Sequence, residues 1–141
     1  MIDQLTAHLI GSLMPHPVKI IETENATRPL GHYAQATRHG GIIYVSGQLG
    51  RLPDMSDEEA GGIEVQTRRC LENVLAIIEA AGSSADRLLK VNVFIADIDQ
   101  WPAVNKVYAE LIGAHKPARI VVPTPLLHYG ALSEIDAIAA E

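Results

Sequence analysis

The sequence predicts one α+β domain in which a mainly antiparallel sheet carries two long helices on one face. Three observations predict this class. Strand-like runs stand before, between and after two helical segments, apolar residues recur at helical spacing in those segments, and 141 residues suit a single core. Residues 17–141 are expected to form the domain. Residues 1–16 form an N-terminal extension whose apolar residues recur at helical spacing, and it either packs on a neighbouring subunit or frays.

Three runs at the start of the domain predict an antiparallel meander. Residues 18–21 are β-like, residues 33–37 are a weaker extended stretch, and residues 41–46 are a β-branched run closed by Gly47. Residues 52–62 are acidic, contain Pro53 and two glycines, and have little apolar surface to bury. We therefore expect a mobile surface loop there.

The second half of the chain predicts two helices and three strands. From residue 63 the apolar period becomes 3.6, and the helix that this predicts ends at Gly82. Residues 88–95 are apolar on both faces, as in a covered central strand. Asp99 is a suitable N-cap, with Pro102 in the first turn, for a helix that ends at Gly113. Residues 118–122 and 132–139 complete the sheet.

These strands hold more apolar surface than two helices can bury. In the last strand Ile135, Ala137 and Ala139 alternate with a second set that includes Ile138, and residues 120–122 are apolar throughout. The other face of the sheet needs a cover. Self-association is the most economical way to supply one.

Composition excludes several classes of protein. Seventeen acidic residues against eleven basic ones give a net charge of −6 at pH 7, which would repel a nucleic acid. A single cysteine, Cys70, forms no internal disulfide or structural zinc site and suits a reducing compartment. The first residues include Asp3 and lack a basic region and a continuous apolar run, so neither a secretory signal nor a membrane span is expected. We therefore expect a cytoplasmic protein.

Familiar site motifs are absent from the sequence, which contains no GxxxxGK[ST], no GxGxxG after a strand and no HExxH. Ser46 does not lie in a GxSxG elbow, and Cys70 falls near the buried edge of a helix, where packing is its expected role. The six histidines show no metal-ligand spacing, and all but His32 are interpreted as isolated surface or loop residues. They are His8, His16, His32, His39, His115 and His128.

Two charged residues lie inside apolar strands, where a charged side chain requires either an oppositely charged partner or access to solvent. Arg119 lies among residues 118–122, and Glu134 lies in the last strand, residues 132–139. Three interpretations are open at this stage: a structural ion pair between the two, strand-end residues that face solvent, or a functional pair. In the functional pair Arg119 makes a bidentate contact with a substrate carboxylate while Glu134 positions a water molecule.

Six motifs in register resemble the RidA (YjgF) family of reactive intermediate deaminases, over about residues 20–139. They are GHY at 31–33, YVSGQ at 44–48, CLENV at 70–74, VNKVY at 104–108, KPAR at 116–119 and EIDAIA at 134–139. The resemblance implies a chorismate-mutase-like α+β subunit, a homotrimer and ligand clefts between subunits. It implies no metal and no organic cofactor.

The resemblance also implies a reaction and its residues. Enamines or imines of the 2-aminoacrylate type are hydrolysed to a 2-keto acid and ammonia in the catalytic branch of this family. The carboxylate-binding role falls on Arg119, and the role of orienting water or moving protons falls on Glu134. The other matching cleft residues are Tyr33, Ser46 with the adjacent Gly47, and Asn105.

Departures from the family pattern leave the exact substrate open. His32 stands where the family usually has proline, which places a titratable group beside the cleft, and Val121 stands where it often has cysteine. Residues 123–130 are irregular and could reshape the cleft. Two other functions compete. One is a non-catalytic trimer that binds a small carboxylate or amine metabolite, and the other is a ribonuclease, which the net charge disfavours.

Overall fold

The computed structural model describes residues 3–6 and 17–141. Most of the predicted N-terminal extension therefore lies outside the described residues. The strands are β1 (Lys19–Ile21), β2 (Ala36–His39), β3 (Ile42–Leu49), β4 (Leu88–Ile95), β5 (Ala118–Pro123) and β6 (Ser133–Ala140). The helices are α1 (Asp57–Ala60), α2 (Ile63–Ala80) and α3 (Trp101–Ile112). The predicted α+β class is confirmed.

All six strands form one sheet in the order β1-β2-β3-β6-β4-β5. The first three form the predicted antiparallel meander, and β6 pairs antiparallel with both β3 and β4. Only β5 runs parallel to its neighbour β4, because α3 carries the chain back to the starting end of the sheet between them. This crossover places β5 at the edge of the sheet beside α3.

The core lies between one face of the sheet and the two long helices. The helical stripe of α2 is buried as predicted, with Leu71, Val74 and Ile78 inaccessible to solvent. Alternate residues of β4 and β6 meet this stripe, since side chains of a strand point alternately to its two faces. None of the helices in residues 3–6 and 17–141 is long and apolar enough to cross a membrane.

On the opposite face of the sheet, here called the open face, no helix of residues 3–6 and 17–141 covers the strands. Ile20 is 67% exposed there, and Tyr44 and Ile120 are each 49% exposed. Their strand partners alternate with the buried residues, which places all three on the same side. The predicted surplus of apolar strand surface is therefore present on this chain.

Strands β2 and β3 each have one end that differs clearly from the prediction. Strand β2 covers Ala36–His39 rather than residues 33–37, because the chain bends at Tyr33. Strand β3 does not close at Gly47 but continues to Leu49 after a shift in register between Val45 and Gln48. This shift is a β-bulge, which re-aims side chains and leaves the ladder intact on both sides.

Asp99 is not the N-cap of α3. The helix begins at Trp101, and Gln100 precedes it without a side-chain cap. A 3₁₀ turn at Ile98–Gln100 comes first, and the carboxylate of Asp97 accepts the backbone N–H of Asp99 at 2.9 Å. The sequence offers two aspartates at adequate spacing, and the turn uses the earlier one.

Within residues 52–62, where a surface loop was expected, Asp57–Ala60 form a capped helical turn. Ser56 and Glu59 make a capping box at the start of α1, and each side chain bonds the backbone N–H of the other. Arg51 contacts Asp57 at 2.7 Å, and Arg69 donates to the carbonyl of Ala60 at 3.1 Å. The acidic residues interpreted as solvated loop thus stabilise the start of a helix.

Candidate functional site

Glu134 lies in a cavity of about 390 Å³ at the end of the sheet where β3 and β6 meet. Four of the predicted site residues, Tyr33, Ser46, Gly47 and Glu134, line it together. His32 is exposed in the neighbouring turn and does not line it. The remaining lining residues are Leu30, Gly31, Leu49, His128 and Tyr129.

The bulge in β3 makes room for the Glu134 carboxyl group. Its Oε1 fills the position that a side chain at Gly47 would take, and an ideal Cβ there would also come within 3.3 Å of Glu134 Cδ. A residue with a side chain at position 47 would therefore push the carboxyl group aside.

The surroundings of Glu134 make its carboxylate a stronger base than an exposed one. Burial raises the pKa of the carboxyl group above its ordinary value, a positive charge on His128 lowers it, and the carboxylate of Asp136 raises it. Within residues 3–6 and 17–141, Glu134 forms no ion pair with lysine or arginine. The carboxylate is thus free to accept a proton from a ligand.

Ser46 and Tyr33 offer opposite hydrogen-bonding capacities to the cavity. The hydroxyl of Ser46 donates to the carbonyl of Ala34 at 2.6 Å, so its remaining capacity is that of an acceptor. The phenol oxygen of Tyr33 accepts the backbone N–H of Leu30 at 3.2 Å and keeps its own proton to donate.

The buried amide of Gln35 holds the loop between β1 and β2 in place, and this loop lines the cavity through Leu30, Gly31 and Tyr33. Gln35 is 3% exposed, and its Oε1 accepts the N–H of Thr23 at 2.7 Å. Its Nε2 donates to the carbonyls of Thr23 at 3.1 Å and Thr27 at 3.0 Å. Sequence reasoning missed Gln35, since only the folded chain shows that its amide replaces strand pairing for the loop.

Arg119 lies in a different cavity, beside α3. Its Nη1 donates to Oδ1 of Asn105 at 3.0 Å. The guanidinium carbon stands 4.6 Å from the ring centre of Tyr108 and 5.7 Å from that of Trp101. One amide and two aromatic faces therefore hold the guanidinium, and in the described part of the chain no carboxylate pairs with it.

Arg119 and Glu134 lie on opposite faces of the sheet. Arg119 pairs across the ladder with Val91, whose side chain is buried against the helices. Glu134 pairs with Phe94, three residues further along the same strand and so on the open face. The structural ion pair left open by the sequence does not form within one chain.

The irregular segment before β6 brings two residues to the cavity that sequence reasoning did not assign to it. His128, interpreted as a loop histidine, and Tyr129 both line the cavity around Glu134. The signal available in the sequence was the irregular run 123–130, which immediately precedes the strand of Glu134. Across residues 3–6 and 17–141, no three His, Cys, Asp or Glu side chains cluster as metal ligands.

Comparison with known proteins agrees with this geometry. A sequence model of the family described as Endoribonuclease L-PSP matches residues 23–141. A RutC family protein of Pyrococcus horikoshii is 42% identical over 86% of this chain and 96% of its own length. A protein of Dermatophagoides farinae named 2-iminobutanoate/2-iminopropanoate deaminase is 34% identical over 86% of this chain and 95% of its own.

A solved structure, that of TdcF from E. coli with bound serine, superposes with a TM-score of 0.79 and 35% sequence identity. It covers 87% of this chain and 98% of its own. Because the family match spans residues 23–141, which hold five of the six strands together with Glu134 and Arg119, the chain belongs to the L-PSP (YjgF/RidA) family.

Proposed function

We propose that this protein hydrolyses reactive imines and their enamine tautomers, of the 2-aminoacrylate type, to 2-keto acids and ammonia. The observation that carries the proposal is the pair of complementary half-sites on one chain. Within residues 3–6 and 17–141, a carboxylate with no lysine or arginine partner lies on the open face, and a positioned guanidinium with no carboxylate partner lies beside α3. A small 2-imino acid carries a carboxylate that suits the guanidinium and an imine whose hydrolysis needs a base.

A single chain cannot apply both groups to one small ligand, because they occupy opposite faces of its sheet. The proposed site therefore lies between copies, with Arg119 from one chain and Glu134 from the next. The exposed apolar residues of the open face supply the surface for that assembly, and we propose a homotrimer.

In the proposed mechanism Arg119 holds the substrate carboxylate by two parallel hydrogen bonds. Asn105 and Tyr108 keep the guanidinium plane in place. The Glu134 carboxylate takes a proton from water as the water oxygen bonds to the imine carbon, which is already electrophilic. The raised pKa of Glu134 favours this proton transfer. The Tyr33 phenol can donate to the developing carbinolamine.

The family relatives support more than one interpretation of the site. The D. farinae relative is named as an imine deaminase, whereas the TdcF structure contains serine. The bound serine favours a competing function, a non-catalytic trimer that binds small carboxylate or amine metabolites. The net charge of −6 argues against a ribonuclease, although the description of the family model names one. We propose the cytoplasm as its compartment.

A coupled assay tests the proposal. A pyridoxal-phosphate enzyme generates 2-aminoacrylate from serine, and pyruvate release is followed with and without this protein, with Glu134→Gln at equal concentration as the matched control. We expect the wild type to accelerate pyruvate release and Glu134→Gln not to. A wild type that binds keto acids but leaves the rate of pyruvate release unchanged would identify the binder instead.

A further inference from the structure

The turn between β5 and β6 directs two side chains toward the cavity of Glu134. The N–H of Ala131 donates to the carbonyl of His128 at 3.0 Å, and the N–H of Gly130 donates to that of Leu127 at 3.3 Å. The imidazole of His128 packs against the ring of Tyr129, with centroids 5.7 Å apart and planes tilted by 53°. The turn thus holds the imidazole at the cavity wall.

Tyr129 adopts a backbone conformation that side chains rarely take. Its φ of 61° lies in the left-handed region, and among the described non-glycine residues it is alone in having a positive φ. Such strain persists where surrounding structure imposes it, and it concentrates at ligand-binding sites. The conformation of Tyr129 fixes how this turn presents the side chains of His128 and Tyr129 to the cavity.

Among the described residues that line this cavity, His128 is the one that can carry a positive charge. The titratable groups that face Glu134 are Asp136 on its own strand and Tyr33 and Tyr129 on the cavity wall, while the Cys70 thiol lies across the sheet on α2. All of these are neutral or anionic. Of the titratable groups described around Glu134, only the imidazole of His128 can therefore donate a proton from a cationic form.

We propose that His128 is a second proton-transfer residue of this site and works opposite Glu134. This inference rests on the proposed hydrolysis. As water adds to the imine carbon, Glu134 takes the water proton, and the C=N electron pair moves to nitrogen, which takes a proton from the imidazolium of His128. The product is a neutral carbinolamine, with Glu134 protonated and His128 neutral.

The second half of the reaction returns both groups to their first state. Protonated Glu134 gives its proton to the amine nitrogen, and the C–N bond breaks with its electron pair leaving on ammonia. The carbinolamine hydroxyl loses its proton to His128 as the keto group forms. One imine and one water become one keto acid and one ammonia, and no other reactant is needed.

Two substitutions separate proton transfer from charge. His128→Asn removes both, whereas His128→Lys keeps a positive charge that does not exchange protons near neutral pH. We expect His128→Asn and His128→Lys to lower kcat by about 100-fold. His39→Asn, at the far end of β2, is the matched control and should keep the wild-type kcat. Melting temperatures verify that each variant folds.

Carbon-13 NMR titration of the Glu134 carboxyl group supplies a readout that needs no turnover. We expect the titration midpoint to rise in His128→Asn, because a cation that favours the carboxylate is lost, and to stay near the wild-type value in His128→Lys. An unchanged midpoint in His128→Asn, or an unchanged kcat, overturns the inference. A raised midpoint in a protein that hydrolyses no imine removes the proposed function but supports His128 and Glu134 as a coupled pair.

Discussion

The carboxyl group of Glu134 occupies the space of the side chain that Gly47 lacks on the neighbouring strand. The β-bulge between Val45 and Gln48 carries Gly47 to this position. The placement of the proposed base therefore depends on the absence of one methyl group, which makes Gly47 the most direct test of the site.

We expect Gly47→Ala to lower turnover by about 100-fold, because misplacing a reacting group by about 1 Å has an effect of that size. The melting temperature should change little, since the atoms that must move belong to the end of a flexible side chain. Kinetics in the coupled assay and thermal unfolding measure the two effects.

Gly41→Ala is the matched control for this substitution. Gly41 has a φ of 80° in the turn between β2 and β3 and has open space around its Cα, so alanine there meets backbone strain only. We expect a loss of roughly 1–2 kcal/mol in stability with turnover unchanged. Unchanged turnover in Gly47→Ala, or a comparable loss of turnover in Gly41→Ala, would contradict the role given to Gly47.

Arg119→Lys tests the carboxylate clamp. Lysine keeps the charge but loses the planar fork, so transition-state binding should weaken by about 1.5–3 kcal/mol, and Arg119→Ala should weaken it further. The ratio kcat/KM in the coupled assay measures this loss. Full activity in Arg119→Lys with assembly intact would exclude the bidentate contact.

Glu134→Gln separates base catalysis from binding and from structure. Turnover should fall by about 10²- to 10⁴-fold, whereas a keto-acid product analogue should still bind through Arg119. Calorimetry with the analogue and the coupled assay on the same variant distinguish the two. Loss of analogue binding in Glu134→Gln would show that the carboxylate binds rather than reacts.

The raised pKa of Glu134 fixes the sign of two pH effects. Turnover should fall as the pH drops through that raised value, because the base must be ionised. Stability should change the other way: the folded state holds this proton more tightly than the unfolded state, so stability declines as pH rises from the unfolded to the folded pKa. Glu134→Gln should therefore unfold at a higher temperature than the wild type at pH 7, and at the same temperature at low pH.

Mixing inactive variants tests whether the site is shared between copies. When Arg119→Ala and Glu134→Gln chains are unfolded together and refolded, a site with both wild-type groups arises wherever each chain supplies its intact residue. Random assembly of trimers gives about one quarter of the wild-type sites. Recovery of about a quarter of the activity, against none in each variant refolded alone, is the expected result.

Ile120→Glu tests the open face as the surface of assembly. Ile120 is 49% exposed on this face, and a charge buried there on association would be strongly unfavourable. We expect sedimentation of a monomer in place of a trimer and loss of activity, with the fold retained. Val65→Glu, at a residue 50% exposed on α2, is the control. A monomeric wild type at micromolar concentration would contradict the shared site.

The sequence predicted the parts of the fold that follow from side-chain periodicity. The alternation through Ile135, Ala137 and Ala139 located β6 and its buried face, and the 3.6-residue stripe located α2. The apolar surplus of those strands predicted the open face. The position of Arg119 and Glu134 inside apolar strands singled them out, and the motif resemblance gave them functional roles that spacing alone could not separate from a structural pair.

What escaped prediction depends on contacts between distant segments. The opposite placement of Arg119 and Glu134 follows from the parallel pairing of β5 with β4, which no local pattern encodes. His128 looks like a solvent-facing loop residue until the turn at Tyr129 directs it to the cavity. The bulge at Gly47 could not be predicted from the sequence either, because an extra residue in a strand is recognised only by its pairing with the neighbouring strand.

Cys70 has a consequence for the durability of the protein. Its side chain is fully inaccessible to solvent beneath β6, and burial raises the pKa of the thiol to about 12. Thiolates add readily to electrophilic carbon, whereas a shielded neutral thiol does not. As the only cysteine in the sequence, it leaves no sulfur nucleophile for an electrophilic imine to capture. Under the proposed function, burial of Cys70 therefore protects the protein from covalent inactivation at this sulfur by an imine substrate.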